Sequence, residues 1–116
     1  MDKKELQMLG FEIVAYSGDA RSTLLQLLKE VRSGNFDNVD KAIKDADENL
    51  AKAHNAQTAL LAQEAGGEDL ELGFIFVHGQ DHLMTTLLLR DLITDFIEKS
   101  LIFEKRKEVN QGLANA

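Results

Sequence analysis

The chain contains no cysteine and no proline among its 116 residues. Without cysteine it can form no disulfide, no thiolate nucleophile and no cysteine-based zinc site, a composition that fits a reducing cytosol. No segment approaches the roughly 18 consecutive apolar residues of a membrane-spanning helix. The charged N-terminus is not followed by the apolar stretch of a signal peptide. We therefore expect a cytoplasmic protein that does not insert into the membrane.

Basic residues are also scarce. The chain has 13 Lys and Arg against 20 Asp and Glu, which gives a net charge of -7. Nucleic-acid binding requires a basic surface and an anionic membrane attracts basic segments, so this charge argues against both partners. We interpret it as a contribution to solubility. An apolar fraction of 44% in a chain of this length predicts a single domain over residues 1–116.

Apolar residues recur every three or four positions, which is typical of amphipathic helices. We predict helices at about 4–32, 36–64 and 72–107, and expect residues 108–116 to fray. Gly34 is predicted to end the first helix in a left-handed conformation, and Asn35 or Asp37 to cap the second. The short connections predict an all-α fold, an antiparallel three-helix bundle. The predicted core positions are Leu6, Leu9, Ile13, Tyr16, Ala20, Leu24, Leu27 and Val31, then Phe36, Val39, Ile43, Ala46, Leu50, Ala53, Gln57 and Leu60.

The third predicted helix is apolar on more than one side, and two partner helices of a small bundle would leave part of this surface uncovered. The residues concerned are Leu83, Leu87, Leu88, Leu89, Leu92, Ile93, Phe96, Ile97, Leu101, Ile102 and Phe103. A helix that is apolar nearly all round is normally buried on all sides. We therefore expect the chain to form an oligomer through its third helix.

A polar cluster interrupts this apolar helix near its start. His78, Asp81, His82 and Thr85 are spaced i, i+3, i+4 and i+7, so they share one helical face. Phe74, Ile75, Leu88, Leu89 and Leu92 continue that face in both directions. Polar groups inside an apolar stripe are costly unless they are paired. We expect them to be satisfied by each other, a metal, an anion or a second chain.

Several chemistries are open to this cluster. His78 and His82 have the spacing of a zinc hydrolase motif, but Gly79 stands where that motif needs a glutamate, and no third ligand is evident. Asp81 on an oligomer axis would meet its own copies and require Mg²⁺ or shared protons; a hydrogen bond to His82 or to the backbone is the alternative. The imidazole of His78 can accept a phosphoryl group, with Gly79 leaving room for a docking partner. A satisfied core histidine, or a structural oligomer with a buried His/Asp network, remains the competing interpretation.

Glycine and glutamine interrupt the apolar pattern of the first two helices. Gly10 and Gly18 indicate a tight helix crossing or the close approach of a ligand. Gln57 is expected to bond to a neighbouring helix, with His54 on the flank, and contact between these residues and the His78 cluster is the alternative. Phe74, Ile75 and Val77 are interpreted as core or as part of a docking surface.

Three segments together resemble a known family. Phe76–Thr86 closely resembles the active-site segment of the enzyme IIA component of the phosphoenolpyruvate:sugar phosphotransferase system, lactose/cellobiose type, which includes the N,N′-diacetylchitobiose branch. Leu9–Ser22 resembles the first-helix motif of that family, and Ala53-His54 with Gln57-Thr58 resembles its second-helix motif. The resemblance covers roughly residues 6–103 in register. The first-helix segment and Gly79 look closer to the lactose branch than to the chitobiose branch.

The resemblance implies a cytoplasmic homotrimer of three-helix bundles. It implies that His78 accepts phosphate from the phosphocarrier protein HPr and passes it to a cysteine of enzyme IIB. Enzyme IIB then phosphorylates a β-disaccharide, of the lactose or cellobiose/chitobiose class, that enters through the membrane component IIC. The resemblance therefore implies a phosphoryl carrier of sugar uptake.

The resemblance also implies roles for neighbouring residues. Asp81 of three chains would meet on the trimer axis and bind a divalent metal, usually Mg²⁺. His82 would stabilise the phosphohistidine through a ring N–H, and Gln80 would contact the pocket or a partner. The wall contributed by a neighbouring helix would include Gly18, Ala20 and Ser22, with Arg21 beside them.

Overall fold

The computed structural model describes residues 1–71 and 73–115. It contains three helices, α1 (Lys3–Arg32), α2 (Val39–Ala65) and α3 (Phe74–Ala114), and these described residues include no strand. The predicted all-α fold is therefore confirmed. α1 packs along both other helices, whereas α2 and α3 contact each other over a much smaller surface. The core consequently lies along α1.

Contacts near the chain ends show how the helices run. The amino group of Met1 pairs with Glu68 in the loop between α2 and α3, so α1 begins where α2 ends. Gly10 of α1 lies against Ile75 at the start of α3, so α1 and α3 are parallel. Consecutive helices are therefore antiparallel, as the short connections predicted.

Two glycines end α1 and α2 in the same way. Gly34 and Gly67 have φ angles of 87° and 92°, in the left-handed region that glycine adopts without steric cost. The amide of Asn35 donates to the Glu30 carbonyl at 2.9 Å, and that of Glu68 to the Gln63 carbonyl at 3.1 Å. These are the six-residue bonds of a Schellman motif, and they confirm the predicted role of Gly34.

The start of α2 differs from the prediction. The helix begins at Val39 rather than near residue 36, and its N-cap is Asn38, whose side chain makes no capping bond. The predicted cap Asn35 instead accepts a hydrogen bond from the Asp37 amide at 3.0 Å. Because Asn38 occupies the N-cap position, neither Asn35 nor Asp37 caps the helix.

The bounds of α3 also differ. The predicted start at Leu72 lies outside the described residues, and the helix begins at Phe74. The expected fraying after residue 107 is wrong, because α3 continues to Ala114. The last stretch contains no proline, and Glu, Gln, Leu and Ala are good helix formers, which is why the helix continues.

The buried faces combine large side chains on α1 with small ones on α2. The buried apolar residues of α1 are Leu6, Ile13, Ala20, Leu24, Leu27 and Val31, and those of α2 are Ala42, Ala46, Leu50, Ala53, Ala56 and Leu60. Alanines on one helix let two helix axes approach closely. Most predicted core positions are confirmed, while Leu9, Tyr16, Phe36, Val39, Ile43 and Gln57 are half-buried.

α3 buries a narrow face and leaves a wide one uncovered. Its buried residues are Gly79, Leu83, Thr86, Ile93 and Ile97. Exposed apolar side chains cover much of the rest, including Leu88, Leu92, Phe96, Ile102 and Phe103. One bundle therefore leaves apolar surface on α3 exposed, as expected. None of the described helices meets the length and apolarity required to cross a membrane.

Candidate functional site

His78 is the fifth residue of α3 and is exposed. Its ring lies between two others on the same helical face. The Phe74 ring stacks on it with a centroid distance of 6.2 Å and an interplanar angle of 11°. The His82 ring approaches edge-on, with a centroid distance of 4.5 Å and an angle of 62°. In the single chain His78 is therefore an accessible imidazole flanked by two rings, so the core-histidine interpretation is wrong.

His82 sits deeper than His78, one turn along α3, and is half-buried. Its Nδ1 atom is buried and has no hydrogen-bond partner among the described residues. The alternative in which Asp81 hydrogen-bonds His82 is thus not formed at this nitrogen. Of the two ring nitrogens of His82, Nδ1 is thus enclosed within the chain.

Asp81 and Thr85 share the outward face of α3 with His78, and both are exposed. The Thr85 hydroxyl donates to the backbone carbonyl of Asp81 at 2.7 Å and to that of His82 at 3.3 Å. Such bonding to the preceding turn occupies the hydroxyl proton. The predicted polar face therefore forms, but it is not buried in one chain, and Thr85 serves its own helix rather than His78.

Gly79 lies where the start of α3 packs against α1. A Cβ at this position would lie 3.1 Å from the Gly10 carbonyl oxygen and 3.3 Å from Ile13 Cγ2. A Cβ on Gly10 would lie 3.1 Å from Ile75 Cγ2, so two glycines let α1 and α3 cross closely here. The predicted tight crossing is confirmed for Gly10. The idea that Gly79 clears space for a docking partner is wrong, because its missing side chain faces α1.

Gly18 and its neighbours on α1 are placed differently. A Cβ on Gly18 would meet no described atom within 4 Å, so a crossing within the chain does not explain this glycine. Ala20 is fully buried in the core, whereas Arg21 and Ser22 are exposed. The four residues that the family resemblance groups together therefore do not form one surface in a single chain.

Gln80 lies on the other side of α3 from His78, since residues two apart on a helix do not face each other. Gln80 and Gln57 line a cleft of about 330 Å³ between the end of α2 and the start of α3, together with Ile13, Leu60, Leu61, Glu64, Leu70, Glu71, Phe76 and Val77. Gln57 thus borders a cleft, and it makes no side-chain hydrogen bond to another of the described residues. His54 is exposed on α2, as expected for a flanking position.

The three apolar residues at the start of α3 divide between two environments. Phe74 and Val77 are exposed, with relative accessibilities of 85% and 62%. Ile75 is half-buried and packs on Gly10. Phe74 and Val77 are therefore available to a docking partner, and Ile75 belongs to the helix crossing.

Metal-binding clusters were sought among the described residues, and no group of three His, Asp or Glu side chains there is arranged to hold a metal. A zinc site built from His78 and His82 would lack a third protein ligand in one chain. The buried His/Asp network of a structural oligomer is also not present in the single chain, because His78 and Asp81 are exposed.

These features describe a small helical protein with an accessible imidazole, flanked by two rings, near the start of its longest helix. The family described as "PTS system, Lactose/Cellobiose specific IIA subunit" matches residues 8–100. The chain belongs to this family, which confirms the resemblance seen in its motifs. It is therefore a component of a sugar phosphotransferase system.

Individual relatives agree with the family match. The lactose-specific EIIA component of Staphylococcus epidermidis is 55% identical over 98 residues, which are 84% of this chain and 94% of the relative. The lactose-specific EIIA component of Streptococcus mutans is 52% identical over the same share of both chains. The match to this chain spans nearly the whole length of both relatives.

Solved structures share the fold. PtcA from S. mutans has a TM-score of 0.83 and 39% identity, covering 86% of this chain and 98% of its own. The chitobiose IIA protein of Escherichia coli, solved in complex with HPr, has a TM-score of 0.72 and 32% identity, covering 85% of this chain and 96% of its own. The three-helix architecture is thus the one that solved IIA proteins adopt.

Proposed function

We propose that this protein is the cytoplasmic phosphoryl carrier of a lactose-type sugar phosphotransferase system. His78 takes a phosphoryl group from phospho-HPr and passes it to a cysteine of enzyme IIB, which serves the membrane component IIC. The observation that carries this proposal is the exposed His78 imidazole, held between the rings of Phe74 and His82. Two partners must reach the same atom in turn, and only an accessible side chain allows that.

Two balanced transfers make up the proposed reaction. In the first, an unprotonated ring nitrogen of His78 attacks phosphorus, an N–P bond forms, and the bond from phosphorus to its HPr donor atom breaks. In the second, a IIB thiolate attacks the same phosphorus, an S–P bond forms, and the N–P bond breaks. The imidazole returns to its starting state, and no oxidation or reduction occurs.

His82 is proposed to hold the phosphoryl oxygens. A neutral imidazole carries one N–H and one unprotonated nitrogen. Buried N–H groups without a partner are rarer than buried acceptors without one, so the buried, unpaired Nδ1 is best left unprotonated. That assigns the proton to Nε2, which can then donate to a phosphoryl group on His78 in a charge-assisted hydrogen bond.

The lactose branch is proposed from the relatives. Curated relatives named as lactose-specific are 49–55% identical to this chain, whereas the solved cellobiose and chitobiose IIA proteins are 32% identical. Higher identity favours a shared cognate system. The β-disaccharide is therefore proposed to be lactose, with cellobiose or chitobiose as the alternatives.

A homotrimer is proposed from the outward face of α3. Leu88 and Leu92 are about 60% exposed in the single chain and follow Asp81 at i+7 and i+11, so one stripe contains all three. Covering this stripe with the same stripe of two other chains would remove a large apolar surface from water. Asp81 would then lie close to its two copies.

The donor set at Asp81 fits Mg²⁺. Each chain offers one exposed carboxylate, a hard oxygen ligand of the kind that Mg²⁺ prefers, and three chains would offer three. When bound, the ion would neutralise the repulsion among these carboxylates. Within one chain, the Asp81 carboxylate lies on the same helix turn as His78 and His82.

Intact-mass spectrometry tests the carrier function. Wild type, His78→Ala and the control His54→Ala, whose histidine is exposed on α2, would each be incubated with phosphoenolpyruvate, enzyme I and HPr. We expect one added phosphoryl group per chain on wild type and His54→Ala and none on His78→Ala. Addition to His78→Ala, or to no variant when HPr itself is phosphorylated, would contradict the proposal.

A further inference from the structure

The outward face of α3 carries a regular seam from Asp81 to Leu113, beyond the accessible His78. Its ten positions alternate in steps of four and three residues, the spacing of a coiled-coil interface. They are Asp81, Thr85, Leu88, Leu92, Asp95, Lys99, Ile102, Arg106, Val109 and Leu113, and all are exposed. No described part of the single bundle buries any of these positions.

This seam extends past the family match. The family match ends at residue 100, while α3 continues to Ala114. Every residue from 101 to 115 is exposed, so this segment contributes nothing to the core of its own bundle. Its exposed apolar side chains nevertheless include Ile102, Val109 and Leu113, at 53%, 55% and 71% accessibility. All three occupy seam positions.

Charge distinguishes between two kinds of partner for the segment. Residues 101–114 contain three basic and two acidic side chains, and the whole chain has a net charge of -7. An amphipathic helix that binds an anionic membrane is rich in Lys and Arg with few acids. The nearly neutral segment and the regular seam instead favour packing against identical helices.

We propose that residues 101–114 extend the interface between chains, forming a parallel three-stranded coiled coil with the same segment of the other two subunits. This inference rests on the proposed trimer, whose α3 stripe the seam continues without a break in spacing. A strict seven-residue repeat over several turns requires a left-handed supercoil. The occupant of the exposed C-terminal face is therefore a copy of this chain.

Charged residues at seam positions set its register. Asp95 and Lys99, at consecutive seam positions, pair at 3.2 Å on the helix surface, so these two positions carry their own counter-charges. Arg106 has no such partner at the four-residue spacing. A single polar residue at a coiled-coil core position specifies alignment and costs stability. Arg106 is thus expected to oppose assembly while aligning the chains.

A pair of matched variants in the full chain tests the interface. Val109→Asp introduces a charge into the seam. Gln111→Asp introduces the same charge two residues later, about 200° away on the helix, and is also exposed. We expect Val109→Asp to raise the midpoint concentration for dissociation, measured by sedimentation, at least about tenfold. Gln111→Asp should change it by less than about twofold.

Arg106→Leu provides a second measurement in the opposite direction. If Arg106 lies in an interface between chains, the replacement should lower the dissociation midpoint and raise the melting temperature in a concentration-dependent way. No change in either quantity would mean that the face is open to water, and would overturn the proposal. Equal effects of Val109→Asp and Gln111→Asp would overturn it as well.

Two controls separate this inference from the function proposed above. Phosphoryl acceptance on His78 should persist in all three variants. If wild type itself accepts no phosphoryl group, that result contradicts the carrier function and leaves the proposed interface unaffected. Cosedimentation with vesicles of phosphatidylserine and phosphatidylcholine tests the membrane instead. Binding by wild type that Val109→Asp abolishes, with an unchanged dissociation midpoint, would assign the face to lipid and contradict the proposed coil.

Discussion

The inward and outward faces of α3 have different partners. Toward the other two helices α3 presents Gly79, Leu83, Thr86, Ile93 and Ile97, all buried. The opposite face presents the accessible His78 and, from Asp81 onward, the exposed seam. The inward face therefore specifies the bundle of one chain. The outward face contains apolar side chains that the single chain leaves in water, and it also contains the reactive histidine.

One pair of leucines makes this comparison quantitative. Leu83 and Leu88 lie five residues apart on the same helix, with relative accessibilities of 0% and 60%. Their side chains are identical, so any difference in the effect of truncation must come from their surroundings. For Leu83 the surroundings are other parts of the same chain, and for Leu88 they are the copies proposed above.

The largest expected effect on stability is that of Leu83→Ala. Removing a fully buried leucine side chain leaves a cavity, and we expect a loss of about 3 kcal/mol in the free energy of unfolding. Denaturant unfolding at several protein concentrations would measure it. Leu88→Ala, the matched variant, should show a cost that grows as the protein is concentrated into oligomers. A concentration-independent cost at Leu88 equal to that at Leu83 would contradict the proposed division of α3.

Periodicity was enough to predict which residues share a face. The three- and four-residue steps from Leu6 to Val31 identified the core of α1, because an α-helix repeats every 3.6 residues. Gly34 was predicted to end α1 because a residue without Cβ adopts the left-handed region without steric cost. Both predictions depend on local geometry alone, and both are confirmed.

The side of a helix that faces its neighbour, and the pairing of residues far apart in sequence, were not predictable. Spacing shows that Gly79 and His78 point different ways, but it does not show which way α1 lies, and so Gly79 was assigned to the wrong side. Because α3 is apolar on several sides, its pattern does not mark an inward face. The pairing of Arg90 with Asp47 joins positions 43 residues apart, and no local sequence pattern predicts it.

Asp81→Leu tests the outward face next. Like charges about 4 Å apart repel by roughly 1–4 kcal/mol per pair between bulk water and a protein surface. Replacing the carboxylate with an apolar side chain should therefore stabilise the trimer and remove its dependence on divalent metal. Melting temperatures of wild type and variant, each with Mg²⁺ and with EDTA, would measure this. Appearance of monomers in Asp81→Leu would show that Asp81 does not lie where the chains meet.

Gly79→Ala tests the inward face at its tightest point. Alanine favours a helix by about 1 kcal/mol over glycine, but here its Cβ would lie 3.1 Å from the backbone oxygen of Gly10, which cannot move without shifting α1. We expect a net destabilisation of about 1–2 kcal/mol.

Gly112→Ala is the control for this variant. That glycine is exposed in α3, and its Cβ would meet nothing within 4 Å. It should therefore gain about 0.5 kcal/mol from helix propensity alone. The same sign of effect at both glycines, measured by denaturant unfolding, would refute a close crossing at Gly79.

The smallest expected effect lies between the two helices that share least surface. Arg90 on α3 donates from Nε to Asp47 Oδ1 at 2.9 Å and from its terminal nitrogen to Oδ2 at 3.0 Å. The Arg90 side chain is 31% exposed, and the Asp47 carboxylate raises the pKa of the guanidinium above its usual value. A two-bond pair of this kind holds α2 and α3 in register, and Arg90→Gln should lower the free energy of unfolding by about 1 kcal/mol.

Lys41→Gln is the control. It breaks the more exposed pair with Asp45 one turn along α2 and should lower the free energy of unfolding by about 0.3 kcal/mol. Because screening by salt weakens exposed pairs most, repeating both in 1 M NaCl should abolish the Lys41 effect and leave most of the Arg90 effect. Equal losses at low and high salt for the two variants would mean that the Arg90 pair contributes no more than a solvated one.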